Sequence, residues 1–158
     1  MRTAAPVLLA LLCACVLTGC GSSYTKHDFV ARADAICASA VSDARAIPPP
    51  ILSGTGPAQL SALAHYLAVV VPIYELEARQ LRELKRPQQS ATDRVELSRF
   101  LAAVSEAASE IRNLAAAAER QDAQGVTSAE ATLQANEAGS LASRYGVRSC
   151  GAPSATVQ

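Results

Sequence analysis

"LSALAHYLAVVVPIYELEARQLREL", residues 60–84, carries the architecture of this chain. Leu60, Leu67, Tyr74 and Leu81 recur at heptad spacing, and Leu63, Val70, Glu77 and Leu84 form a second row beside them. Two adjacent rows of this kind describe a helix that buries one stripe against other helices. A half-buried strand would alternate every second residue, and this stretch does not. Pro72 sits in the middle, where it removes an amide donor and crowds the preceding turn. It predicts a kink, or two shorter helices end to end. Pro87 closes the segment.

The flanking sequence supplies three partners. Upstream, a helix is predicted from about Asp28 to Ile47, with Thr25 and Asp28 as a capping pair and Phe29, Ala33, Ile36, Cys37, Ala40, Ala44 and Ile47 on one face. Pro48-Pro49-Pro50 stops it, and a loop through Gly54 and Gly56 leads into the quoted stretch. Downstream, a third helix runs from near Thr92-Asp93 to about Gln121, burying Leu97, Leu101, Val104, Ala108, Ile111, Ala115 and Ala118. Gly125 marks a turn, and Thr127 with Glu130 has the spacing of a capping box for a fourth helix. Its face is Ala131, Ala135, Ala138, Ala142 and Tyr145, with Leu133 and Leu141 beside it and Gly146 at the left-handed cap position. The expected fold is all-α: a four-helix up-down bundle over residues 28–150 with a kinked second helix.

The first 19 residues have the form of a signal peptide, with Arg2 ahead of an uncharged apolar run from Ala4 to Leu17 that is too short and too poorly flanked for a spanning helix. Leu17-Thr18-Gly19-Cys20 at the end of that run resembles the lipobox of bacterial lipoproteins: an aliphatic residue, two small ones, then the cysteine whose thiol is acylated. An earlier frame, Leu12-Cys13-Ala14-Cys15, would truncate the apolar run and has an unusual second residue. A plain secretion signal cut near Gly19 is the other alternative, and it would leave a free thiol at Cys20. The preferred reading makes residues 20–27 a lipidated cysteine and a short tether, places the protein on the extracytoplasmic face of the cell membrane, and leaves 151–158 as a flexible tail.

Five cysteines are then accounted for. Cys13 and Cys15 leave with the signal peptide, Cys20 carries lipid, and Cys37 and Cys150 remain as an even pair in an oxidising compartment, expected to form one disulfide. A metal site built on the same two cysteines would need further ligands. Neither His27 nor His65 stands at a suitable spacing, so no metal and no cofactor is expected.

From Cys20 to Gln158 the chain has 139 residues, enough for one domain with a core, and 13 basic against 14 acidic side chains. Near-neutrality argues against a nucleic-acid binder. Abundant alanine favours helix, and two Phe, four Tyr and no Trp leave few aromatic anchors for stacking a ligand. The chain also resembles a group of small, mostly uncharacterised actinobacterial secreted proteins and lipoproteins, through Ala33-Asp34-Ala35-Ile36-Cys37, the 81–87 stretch "LRELKRP", and Tyr145-Gly146-Val147 leading to Cys150. That resemblance implies a disulfide-stapled helical module on an envelope surface and brings no catalytic residues with it.

An up-down topology places the start of the first and third helices and the finish of the second and fourth at the tether end. Ten basic residues collect there, including Arg94 and the membrane-proximal set Arg79, Arg82, Lys85, Arg86 and Arg148, against five acids; the opposite end has an acidic excess. Helix macrodipoles explain part of this but not Arg94 and Arg99 near a helix start. The basic end is expected to rest on anionic headgroups.

Catalytic patterns are lacking. Glu75 and Glu77 point to different helix faces, Glu106 and Glu110 form an exposed stripe, His65 lies on an ordinary helix, and there is neither a nucleophile elbow nor a phosphate loop. Glu77 stands out because it occupies an apolar heptad row, where it should reach the edge, pair with an arginine such as Arg112, or line a small pocket with Tyr74. The favoured expectation is a non-enzymatic interaction module that holds an envelope protein partner. The runner-up is a carrier or sensor of a small apolar ligand in the bundle core.

Overall fold

A computed structural model describes residues 23–151. The expected signal peptide, Cys20 and the tail beyond residue 151 lie outside the described residues.

Helix α1 (Lys26–Arg45) opens with the capping box expected at Thr25: the Thr25 hydroxyl accepts from the Asp28 amide, and the Asp28 carboxylate accepts from the Thr25 N–H at 2.8 Å. Helix α2 (Pro57–Glu83) has Pro57 in its first turn, where the missing N–H costs nothing. Leu60, Leu63, Leu67, Val70, Glu77 and Leu81 are buried, and Tyr74 and Leu84 are half-buried, so both heptad rows face inward. The helix continues as one element through Pro72. Pro72 and Ala68, whose carbonyl loses its amide donor, both lie on the exposed face, so the carbonyl is left open to hydration.

Helix α3 (Ala91–Glu119) starts at Ser90, whose hydroxyl accepts from the Asp93 amide at 3.1 Å. At 29 residues it is the longest helix among the described residues, and it packs against α2 and against the two helical segments that follow it.

The fourth helix differs from expectation in two ways. It begins at Ala123, because Asp122 caps it by accepting from the Gly125 amide at 2.9 Å, and Gly125 is therefore inside the first turn. The Thr127–Glu130 pair is no cap; Thr127 donates back to the Ala123 carbonyl. The helix is also broken at Asn136–Glu137 into α4 (Ala123–Ala135) and α5 (Ala138–Tyr145). Asn136 donates from Nδ2 to the Ala103 carbonyl of α3 and accepts from the Ala138 amide, which ends one helix and starts the next. The buried face shifts with the earlier start: Val126 and Ala129 are inside, whereas Ala131 and Ala135 are exposed.

Two cores are stacked along the bundle. One joins α1, the second half of α2, the first half of α3 and α5, around Phe29, Leu81, Phe100, Tyr145 and Val147. The other joins the first half of α2, the second half of α3 and α4, around Leu60, Leu67, Leu114 and Val126. Gly146, at φ 108°, turns the chain after α5. Asp34 Oδ1 then accepts from the Arg148 and Ser149 amides at 2.7 and 2.8 Å, and a short 3₁₀ turn (Ser149–Gly151) brings Cys150 to its disulfide with Cys37.

Candidate functional site

The end of the bundle at which α1 begins, where the tether is expected, is assembled from four elements. Lys26 Nζ bonds Asp93 Oδ1 at 2.5 Å, the Gln88 amide donates to the Tyr24 carbonyl, and Phe29 meets Tyr145 edge to face at 5.7 Å. The start of α1, the finish of α2, the start of α3 and the finish of α5 therefore share one end, as the up-down topology requires. The Tyr145 hydroxyl donates to Gln89 Oε1 at 2.5 Å, and Lys26 Nζ stands 4.4 Å from the centre of its ring. Burial pushes the Tyr145 phenol up to about 12, and the negative charge of Asp93 adds to the effect. The bonds from Lys26 and Ser90 hold the Asp93 carboxyl below the usual carboxylate range. Asp93 is thus committed to Lys26 and to its cap.

Beside this cluster, a groove of about 340 Å³ runs between the end of α2 and the start of α3. Arg82 in the last turn of α2, Arg86 in the connection and Arg94 in the first turn of α3 flank it, over a floor that includes the buried Pro87, Leu97 and Leu101. Gln89, Ser98 and Ser105 add polar groups. Among the described residues none of the three arginines forms an ion pair. Guanidinium forks match phosphate and carboxylate geometry, so the groove offers three uncompensated cations above an apolar floor, a chemistry suited to an anion with an apolar portion.

Of the membrane-proximal residues predicted, Arg82 and Arg86 line the groove, and Lys85 lies with Arg32 near the ring of Tyr24, at 5.8 and 5.2 Å. Arg79 and Arg148 are exposed and are not part of it. Gln89 was not singled out from the sequence, and Arg94 only as one of the charges at that end. Their signal was the short, Pro87-centred connection that turns α3 back beside Arg82 and Arg86.

Glu77 behaves otherwise than expected. It does not reach the edge: it is 8% exposed, and Arg112 bonds Glu75 Oε1 at 2.8 Å instead. Among the described residues it has no hydrogen bond or ion pair, and burial pushes its carboxyl up to about 7. It lies beside the disulfide, with its carboxylate oxygen and the sulfurs of Cys37 and Cys150 all within 4.8 Å of one another. A second groove, of about 290 Å³, lies toward the other end between α3 and α4, near Glu110, Asn113 and Arg120. Neither groove is lined by Tyr74 or Glu77.

The exposed side of α2 is apolar over two turns, where Val69, Pro72 and Leu76 follow one another at helical spacing, with Val69 55% and Leu76 44% exposed. By length and composition α2 could cross a membrane, but its two inward rows help build both cores. No family model matches the chain, and neither the curated proteins nor the solved structures contain a significant match.

Proposed function

We propose that this protein is an exported lipoprotein, acylated at Cys20, that acts as a non-enzymatic interaction module at the cell envelope. The observation that carries the reading is the arginine groove: Arg82, Arg86 and Arg94 converge, without acidic partners among the described residues, at the end where the chain enters the domain. Tyr24 is already tied to Gln88, so only the residues between Cys20 and Tyr24 separate lipid from domain, roughly 14 Å at full extension. Such a short tether holds the basic end against the bilayer, where each arginine near anionic headgroups contributes about 1 kcal/mol. The acidic end faces away from the membrane. The apolar stripe Val69–Pro72–Leu76 runs along the side of the domain and is the surface offered to a protein partner.

The test is vesicle co-sedimentation of the protein with Cys20 replaced by Ala, which removes the lipid and leaves the groove. Binding to anionic vesicles should exceed binding to neutral ones and should weaken with salt. Replacing Arg82, Arg86 and Arg94 together with Gln should cost about two orders of magnitude in affinity. Equal binding to anionic and neutral vesicles sinks the membrane-facing reading.

A further inference from the structure

Taken alone, two cysteines separated by 113 residues lack the further ligands that a metal needs. The fold supplies a third. Cys37 comes from α1, Glu77 from α2 and Cys150 from the 3₁₀ turn, and one donor atom from each lies within 4.8 Å of the other two. Cys37 and Glu77 are buried, whereas Cys150 is half-exposed and gives solvent a way in. We propose that reduction of the Cys37–Cys150 disulfide turns this cluster into a binding site for a zinc-class cation, with both thiolates and the Glu77 carboxylate as its protein ligands.

The donor set and the spacing both suit that ion. Zn²⁺ takes thiolate sulfur at about 2.3 Å and carboxylate oxygen at about 2.0–2.2 Å, so ligand atoms in a tetrahedral site stand roughly 3.3–3.8 Å apart. On reduction the two sulfurs, about 2 Å apart while bonded, part by roughly 1.7 Å, and the Glu77 oxygen, already within 4.8 Å of both, closes in by up to about 1 Å. Three protein ligands leave the fourth position for water. The site also gives Glu77, which occupies an apolar row with no partner among the described residues, a cation to bind: a divalent ion offsets two of the three negative charges that the thiolates and the carboxylate bring together.

The chemistry balances with a dithiol as reductant. It delivers two electrons and two protons to the Cys37–Cys150 bond, which opens to two thiols while the dithiol closes to its own disulfide. The cation then displaces to solvent the two thiol protons and the proton that the Glu77 carboxyl holds below its raised pKa. In the reverse direction the disulfide form of that dithiol takes up the two electrons and two protons from solvent, the Cys37–Cys150 bond re-forms and the metal leaves.

The test uses the full chain with Cys13, Cys15 and Cys20 replaced by Ser, so that only two thiols remain. Co²⁺ and Zn²⁺ are added to the oxidised protein and to protein reduced with a phosphine, which passes its electron pair to the disulfide and takes oxygen from water. The reduced protein should bind one metal ion per chain and show a thiolate-to-cobalt charge-transfer band, which the oxidised protein lacks. Glu77→Gln, which keeps the side chain's size, should weaken Zn²⁺ binding at least about tenfold. If the reduced chain loses helix, Zn²⁺ should restore it; failure to restore helix counts against the site. Equal binding by oxidised protein, no band on reduction, or an unchanged affinity in Glu77→Gln would each overturn the proposal.

Discussion

Glu77 gives up most of its water on folding and, among the described residues, receives neither a donor nor a cation in return. Its carboxyl titrates ordinarily at 4.5 and in the fold at about 7, so across that window the native chain holds a proton that the unfolded chain releases. The corresponding stability is fully present below about 4.5 and is lost as pH rises through about 7, a change of about 3 kcal/mol. Urea denaturation at pH 5 and pH 8 should show the wild type weaker at pH 8, and Glu77→Gln should remove most of the difference and raise stability at pH 8. An unchanged pH dependence in that variant would place its origin elsewhere. Asp34 has a simpler role, accepting the two amides that fix the C-terminal turn. Asp34→Ala should cost about 1–3 kcal/mol and speed the reduction of Cys37–Cys150 by a dithiol, measured as thiol release.

Helix ends carry the next set of consequences. Gly125 is pinned: a Cβ there would stand 2.4 Å from the Asp122 carboxylate that caps α4 and 3.1 Å from Ala117 of α3. Gly125→Ala should therefore break the cap and push α4 off α3, with loss of about 1–3 kcal/mol in thermal unfolding. Gly146→Ala meets only Val30, at 3.7 Å, so its expected cost of about 1–2 kcal/mol comes from the left-handed backbone alone. These ends also show what the sequence could express. The two rows of α2, the Thr25 cap and Gly146 were legible because their signals are local and unopposed. The start of α4 was not, because Asp122 and Thr127 are both adequate caps by type, and the bond from the Asp122 amide to the Ala117 carbonyl of α3, which fixes the earlier one, depends on how the chain turns after α3. The break at Asn136 was hidden for a similar reason: half of its hydrogen bonding goes to Ala103, on another helix. In the same way, no pattern along the chain announces that Glu77 meets a disulfide closed between positions 37 and 150. Arg82 and Arg86 were legible as charge, but the groove they form with Arg94 depends on how tightly the chain turns at Pro87.

For the whole molecule, the disulfide closes a loop of 113 residues, for which chain-entropy arguments give about 5 kcal/mol. That is a large part of the stability of a domain this size, so reduction should lower the urea midpoint sharply. The two stacked cores are not equally held. The one built on α1 has the aromatic pair Phe29 and Tyr145 and the disulfide around it; the other is closed by α2, α3 and α4, with alanines filling much of it. Amide hydrogen exchange should accordingly be graded along the axis, slowest near Phe100 and Leu81 and fastest in α4. On the proposed orientation, a partner arriving from outside the cell would meet the half of the protein expected to open more readily, while the half set against the membrane would stay rigid. Docking at the outer end could then reshape α4 without loosening the anchorage.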